Sequence, residues 1–282
     1  MMAASDGSLR LRSVRRLGIT YLVVVLLGVF FSLPLVWIVM TAFKPTVLVL
    51  TSPPTWIFVP TLDHFIAVFD RPQFWRYLLN TTVVTVATTV LTLAIGTLAA
   101  YGMARHRAGG RPLLYATLSV RALPPIVLGL PLFVLFTRLG LIDTLSGLTI
   151  AYTAFMLPNT IWLMLGFFEA TPRSLEEAAL VDGCTKFGAF LRIALPLALP
   201  GLVVTGFYNA IGAWNQFFFG LMLSTSHART LPVYAAQLIG EYSIRWGEIS
   251  AIGTTLLLPP IVIVILMQRH LSGGLTLGGV KG

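Results

Sequence analysis

The chain has 282 residues, of which 56% are hydrophobic and only 10% are charged, and its mean hydropathy is +0.87. Soluble domains carry about 25% charged residues, so this composition excludes a soluble fold and predicts an all-α membrane protein. The net charge of +9 is typical of membrane proteins that keep Lys and Arg in the cytoplasm, and it does not indicate nucleic-acid binding. The single cysteine, Cys184, has no disulfide partner and no neighbours with metal-ligand spacing, so no structural metal is expected.

Uncharged stretches taken in chain order predict six transmembrane helices. Four arginines between residues 10 and 16 precede an apolar run at 17–43, which is longer than the roughly 7–15 residues of a signal-peptide h-region and is expected to be a retained first span. The next segment, 44–76, contains five prolines, is too broken to cross lipid and is expected outside. The remaining spans are expected at 78–104, 113–137, 145–168, 199–223 and 249–268.

The distribution of basic residues predicts that both termini are cytoplasmic. In the six-span arrangement, twelve Lys and Arg residues lie in inside loops, six lie in outside loops, and Arg121 lies within the third span. Positive residues accumulate on the cytoplasmic side of membrane proteins, so the loop between the fourth and fifth spans is also inside. An arginine is costly in hydrocarbon, so Arg121 is expected to face protein or water. The chain is expected to form one membrane domain, 1–282.

The inside loop at 171–196, here called the signature loop, is predicted to be a helix-turn-helix. Ser174 and Glu177 have the spacing of a capping box, although Thr171 is an alternative cap. Asp182 and Gly183 are predicted to end this first short helix in a left-handed turn. A second short amphipathic helix is then predicted from apolar residues at three- and four-residue spacing, and it is expected to stop before proline. These residues are Phe187, Phe190, Leu191 and Ala194, followed by Pro196.

The signature loop resembles the EAA signature, E-A-A-x-x-D-G, nine residues, I-x-L-P, of permease subunits in bacterial ABC importers. In that family the loop is cytoplasmic and seats in a groove of the ATPase subunit. The resemblance therefore implies a coupling role for the matching residues, and a generic helical hairpin or a DNA-reading helix-turn-helix is the alternative. The matching ATPase-coupling residues are Glu177, Ala178, Ala179, Asp182, Gly183, Ile193, Leu195 and Pro196, with Pro200 after them.

The Gly-rich tail at 273–282 is not expected to be a phosphate-binding loop. Val280 occupies the lysine position of a P-loop, and Lys281 comes one residue late. The tail instead resembles the G-L-T-x-G-x-V-K-G ending of carbohydrate-type permeases. In the maltose system that ending reaches between the ATPase subunits, and a frayed terminus is the alternative here. The resemblance implies ATPase contact for Gly278, Gly279, Val280, Lys281 and Gly282.

Shorter matches at the ends of the second span and before the fourth favour the carbohydrate-uptake subclass of this family. Polar and aromatic residues on the inner spans are candidates for the solute path, because amides pair with hydroxyls and aromatic faces pack on sugar rings. Interhelical hydrogen bonds are the alternative role for the same residues, and for the arginine a neighbouring subunit is the alternative partner. The candidates are Asn159, Trp162, Asn209, Trp214, Asn215, Gln216 and Arg121.

The resemblance as a whole implies a multi-pass permease subunit in a bacterial inner membrane. Its expected partners are lipid, a second and different permease, an ATPase dimer that binds ATP and Mg²⁺, and an extracytoplasmic solute-binding protein. The chain contains no Ser-His-Asp set or paired carboxylates with convergent spacing, so neither catalysis nor a cofactor of its own is expected. An ABC importer permease for another solute class is the alternative within the family. A secondary transporter is the rival class, but it would need ion-coupling carboxylates or inverted half-helices in the membrane.

Overall fold

The computed structural model describes residues 4–106, 108–240 and 244–274. These ranges contain no β-strand, and the extended pairing within them is one antiparallel bridge between Ile239 and Ile244. The described chain is a succession of helices. They are α1 (Ala4–Ala42), α2 (Asp63–Phe69), α3 (Pro72–His106), α4 (Gly110–Ala122), α5 (Pro125–Arg138), α6 (Leu145–Ala170), α7 (Ser174–Val181), α8 (Lys186–Ala189), α9 (Leu195–Leu197), α10 (Leu199–Trp214), α11 (Phe218–Leu223), α12 (Leu231–Gln237) and α13 (Trp246–Gly274), with a 3-10 turn at Thr46–Leu48 and a π turn at Phe190–Ala194.

Among the described residues, four helices are long and apolar enough to cross a membrane. They are Leu17–Ala42 of α1, all of α3, all of α6, and Trp246–Gln268 of α13. They coincide with the first, second, fourth and sixth predicted spans. The second begins earlier than predicted, at Pro72, because a proline is well accommodated in the first turn of a helix.

Two of the predicted spans are divided. The third, 113–137, is interrupted between α4 and α5, where Leu123 is extended with φ −72° and ψ 130°. Leu123 precedes Pro124, and the residue before a proline is disfavoured in the helical region. The fifth, 199–223, is interrupted between α10 and α11 at residues 215–217. A further pair, Lys186–Leu197 and Leu199–Trp214, is bent by 72° and is apolar enough to cross as one span.

Three clusters of buried apolar side chains lie along α3 and pack several other helices against it. One surrounds Phe74 and Tyr77 at the start of α3 and includes residues of α12 and α13. A second contains Tyr152 and other residues of α6, α10 and α11. The third joins the end of α3, the end of α6 and the π turn, through residues such as Ala104 and Phe190. The signature loop is therefore attached to the end of the bundle where α3 and α6 finish.

At the opposite end, the carboxylate of Asp143 clamps the loop between α11 and α12. Its oxygens accept hydrogen bonds from the four consecutive backbone amides of residues 225–228, at 2.9 to 3.1 Å. Asn80 Nδ2 of α3 donates to the carbonyls of His227 and Arg229 in the same loop, at 2.8 and 2.9 Å. Burial alone would raise the pKa of the Asp143 carboxyl, but the amide donors together hold that pKa well below its usual range.

Candidate functional site

The first helix of the signature loop, α7, is short, as expected, with 8 residues, but its N-terminus is not a capping box. No side chain caps α7, and the residue before it, Arg173, already has helical φ −65° and ψ −29°. The amides of Glu176 and Glu177 both donate to the carbonyl of Arg173, at 3.0 Å. Ser174 thus lies inside the first turn and cannot cap it, so the capping-box prediction was wrong.

The turn that follows α7 has the geometry expected of the Asp182-Gly183 pair. Gly183 adopts φ +87°, its amide donates to the carbonyl of Leu180 at 3.1 Å, and the amide of Cys184 donates to the carbonyl of Ala179 at 2.9 Å. These two bonds form a Schellman motif, which is the common glycine-based ending of an α-helix. No heavy atom lies within 4 Å of the position of a Cβ on Gly183, so the turn is open to a partner.

The second helix of the signature loop does not stop before Pro196, contrary to the prediction. Thr185 Oγ1 accepts from the amide of Gly188 at 3.0 Å and caps α8. The chain then widens into the π turn, where the amide of Leu195 donates to the carbonyl of Phe190, and continues into α9. The wider turn admits Pro196 without a clash, and the proline has no amide that would need a partner.

The signature loop buries one side against the bundle and exposes the other. Glu177, Ala178, Asp182, Gly183 and Pro196 are exposed, Ile193 and Leu195 are half-buried, and Ala179 is 8% exposed. The exposed side also carries large apolar side chains, which soluble surfaces rarely group together. They are Leu180, Val181, Phe187 and Leu191, of which Val181 is 87% exposed.

A buried polar cluster fastens α7 to the ends of α3 and α6. Arg105 Nε lies 2.7 Å from Glu176 Oε1, and Tyr101 Oη donates to Glu176 Oε2 at 2.7 Å. Arg105 also donates through Nη1 to the carbonyl of Phe168 and through Nη2 to the carbonyl of Thr171. Glu176 was not predicted from the sequence as a site residue. The available signal was its charge, which lies next to the signature, together with the arginines close to the ends of the spans.

Three of the predicted solute-path residues lie on one outer face formed by α6 and α10. Asn159 Nδ2 donates to Tyr208 Oη at 2.7 Å, which joins the two helices. Trp162, one turn along α6, is 54% exposed, and Asn215, two turns beyond Tyr208 at the end of α10, is exposed as well. Tyr208 was missed from the sequence, although its seven-residue spacing from Asn215 places both on the same side of a helix.

The other predicted path residues are placed differently. Asn209 is fully buried, and its Nδ2 donates to Thr92 Oγ1 at 3.1 Å and to Thr160 Oγ1 at 2.9 Å. Trp214 is 6% exposed, and its Nε1 donates to the carbonyl of Leu256 at 3.0 Å. Both thus make the interhelical hydrogen bonds that were the alternative role. Gln216 is half-buried. The side chain of Arg121 and the tail residues 278–282 lie outside the described residues.

Comparison with known families adds to this geometry. Residues 92–276 match the family described as the inner membrane component of binding-protein-dependent transport systems. The chain belongs to this family. The matched region contains the signature loop and the α6–α10 face. As expected from the sequence, the permease is a transport subunit of the inner membrane and not an enzyme.

Relatives of the permease align over most of its length. The sulfoquinovosyl glycerol transport system permease protein of Agrobacterium fabrum is 34% identical over 252 residues, which are 88% of each chain. The trehalose/maltose transport system permease protein of Thermococcus litoralis is 32% identical over 92% of this chain and 94% of its own. A chain in the crystal structure of a bacterial ABC transporter for the acidic polysaccharide alginate is 25% identical, with a TM-score of 0.73 over 92% and 97% of the two chains.

Proposed function

We propose that the permease forms half of the translocation path of an ATP-driven importer for a sugar or related polyol. The signature loop, which exposes Glu177 and Ala178 of the EAA signature beside the apolar Val181 and Phe187, is the observation that carries this proposal. That surface is suited to the groove of an ATPase subunit. The solute class is inferred from relatives whose names specify trehalose/maltose and sulfoquinovosyl glycerol, and from the alginate transporter.

The proposed topology has six crossings with both termini in the cytoplasm. α1, α3, α6 and α13 each cross once, the broken pair α4–α5 forms the third crossing, and α10–α11 forms the fifth. The breaks at Leu123 and at residues 215–217 are tolerable in a membrane where the irregular backbone faces protein or a water-filled path. Under this topology the signature loop is inside, and the Asp143 clamp is outside.

The proposed partners are a second, different permease, an ATPase dimer that binds ATP and Mg²⁺, and an extracytoplasmic binding protein. Closure of the ATPase pair would move the signature loop and rock the spans between inward-open and outward-open states. The binding protein would deliver solute onto segments 44–76 and 225–248. The tail at 278–282 would contact the ATPase.

The proposed solute path runs along the α6–α10 face. Asn159, Tyr208 and Asn215 offer amide and hydroxyl groups, and Trp162 offers an exposed aromatic surface for a sugar ring. Asn209 and Trp214 are assigned to the packing of the helices and not to the path, because their polar atoms are already bonded to neighbouring helices.

Co-purification tests the proposal. The permease, tagged and extracted from its own membranes in mild detergent, is expected to carry an ATPase that mass spectrometry identifies. The extracted complex should hydrolyse ATP, and vanadate should inhibit that hydrolysis. A permease that is fully folded but isolated without an ATPase would favour the secondary-transporter alternative and overturn the proposal.

A further inference from the structure

We propose that Glu176 is a positioning residue of the transport cycle. Together with Tyr101 and Arg105 it fixes α7 to the ends of α3 and α6, so that a movement of the signature loop is carried into the spans. This inference rests on the coupling role proposed for the loop. It concerns a residue that precedes the EAA signature and faces away from the proposed ATPase surface.

The guanidinium of Arg105 in α3 bonds both to α7 and to the end of α6, so it joins three helices. The side chains of Arg105 and Glu176 are only 6% and 8% exposed, and they are separated by 2.7 Å. The remaining donors of Arg105 go to the carbonyls of Phe168, at 2.8 Å, and Thr171, at 3.1 Å. A single side chain of α3 thus holds α7 by a carboxylate and the end of α6 by two carbonyls.

Tyr101 extends the same joint to the second half of the signature loop. Its hydroxyl donates to Glu176 in α7. The centroid of its ring lies 4.6 Å from the ring centroid of Phe190 in the π turn and 5.5 Å from that of Phe168 in α6. The two halves of the loop are therefore fastened to the same residue of α3. A second link from Arg173 to the carbonyl of Ala104 lies just before α7.

Burial makes this joint suited to transmitting movement. An exposed ion pair exchanges readily with water and resists displacement weakly. Separating a buried pair instead leaves each charge without a partner where water is excluded, so the pair keeps one arrangement. The neighbouring Glu177 is exposed, and it is free to meet the ATPase while Glu176 holds the helix that carries it.

Spin-label distances test the inference on the whole permease–ATPase complex. Labels on Leu175→Cys in α7 and Leu98→Cys in α3, both exposed positions, are measured in a Cys184→Ala background, with and without Mg²⁺, ATP and vanadate. In the parent we expect one narrow distance that trapping leaves unchanged, because the loop and α3 move as one body. In Glu176→Gln we expect a broader distribution that shifts on trapping, with ATPase still bound.

Two further variants keep the test decisive. Tyr101→Phe removes one hydrogen bond to Glu176 and should broaden the distance less than Glu176→Gln, so it reports on the joint even if Glu176→Gln does not assemble. Glu169→Gln changes an exposed acid at the end of α6 and should match the parent.

If both joint variants bind ATPase and keep the narrow, unshifted distance, the positioning role is overturned. If the parent itself binds no ATPase, the proposed function fails instead.

Discussion

Gly183 is the residue at which the signature loop is most sensitive to a side chain. Its φ of +87° lies in the left-handed region, where a Cβ costs about 1–2 kcal/mol. We expect Gly183→Val to insert normally but to lose ATPase association, because the turn changes shape and the added side chain occupies an open docking surface. The measurement is the amount of ATPase that co-purifies per permease.

A matched control exists in Gly140, which has φ +65° and, like Gly183, has no heavy atom within 4 Å of the position that a Cβ would take. Gly140→Val introduces the same backbone strain between α5 and α6, away from the signature loop. It should therefore retain the ATPase. Equal retention by both variants would show that the loop is not the docking element.

Two asparagines, Asn209 in α10 and Asn215 directly after this helix, should respond in opposite ways to replacement by alanine. Asn209→Ala removes the partner of the buried Thr92 and Thr160 hydroxyls, so we expect a loss of about 1–2 kcal/mol in stability, seen as a lower Tm in detergent. Asn215→Ala removes an exposed amide whose Nδ2 donates to the carbonyl of Ile211, one turn earlier in α10. It should leave the Tm unchanged and alter solute-stimulated ATP hydrolysis.

The opposite pattern, a stable Asn209→Ala and an unstable Asn215→Ala, would contradict the assignment of these side chains. The sequence placed both asparagines among polar residues on an inner span, and it left open whether they bind solute or neighbouring helices. Residue type and spacing do not decide between solute binding and interhelical bonding, because the role of each side chain depends on whether its position faces α3 and α6. The interruption of the fifth predicted span at 215–217, between α10 and α11, had no clear sequence signal.

Asp143 is expected to hold its loop throughout the physiological pH range. Its folded-state pKa is lowered, so the clamp contributes stability above the unfolded value of about 3.9 and loses it only as the pH falls through the lower folded value. Asp143→Asn should therefore loosen the loop by the same factor at all pH values between about 5 and 8. The measurement is the rate at which a cysteine at the exposed position Thr225 reacts with a thiol reagent.

A pH-dependent ratio between Asp143→Asn and its parent in that range would mean that another group controls the loop. The cysteine at Thr225 in a Cys184→Ala background, with Asp143 unchanged, provides the parent rate. The carboxylate is partly exposed, so solvent screening keeps the energetic effect modest.

At the scale of elements, close helix packing depends on glycines at contacts. A Cβ on Gly201, in the first turn of α10, would lie 2.4 Å from the ring of Phe167 in α6, whereas a Cβ on Gly166 would meet nothing within 4 Å. We expect Gly201→Val to push α10 from α6 and lower stability by about 1–3 kcal/mol. Gly166→Val, the control, should change the Tm little, and an equal loss would refute the contact.

Element positions were more predictable than their interruptions. Long uncharged runs located α1, α3, α6 and α13, because hydrocarbon selects apolar sequence over a whole span. The prediction that the second helix stops before Pro196 was wrong. A proline is unfavourable only where the helix keeps its i to i−4 bonds, and the π turn does not make those bonds. The missed Glu176 joint depends on contacts between residues more than seventy positions apart in sequence, which no local pattern contains.

At the scale of the whole molecule, the six-crossing topology makes a labelling prediction. In a Cys184→Ala background, cysteine at Pro60 should react with a membrane-impermeant thiol reagent added to intact cells, and cysteine at Ala108 should react only after the membrane is opened. Both positions are exposed on the permease, so access is decided by the side of the membrane. The reverse pattern would invert the proposed orientation.

The 72° bend at Ala198 makes the second half of the signature loop a lever arm. At 1.5 Å per residue, Lys186–Leu197 is about 18 Å long, so a tilt of about 10° displaces its far end by about 3 Å. Because the arm stands nearly at right angles to α10, that displacement is directed mostly along the α10 axis. In the proposed transport cycle, a small tilt of α10 would therefore become a displacement of the turn around Gly183 along the axis of that helix.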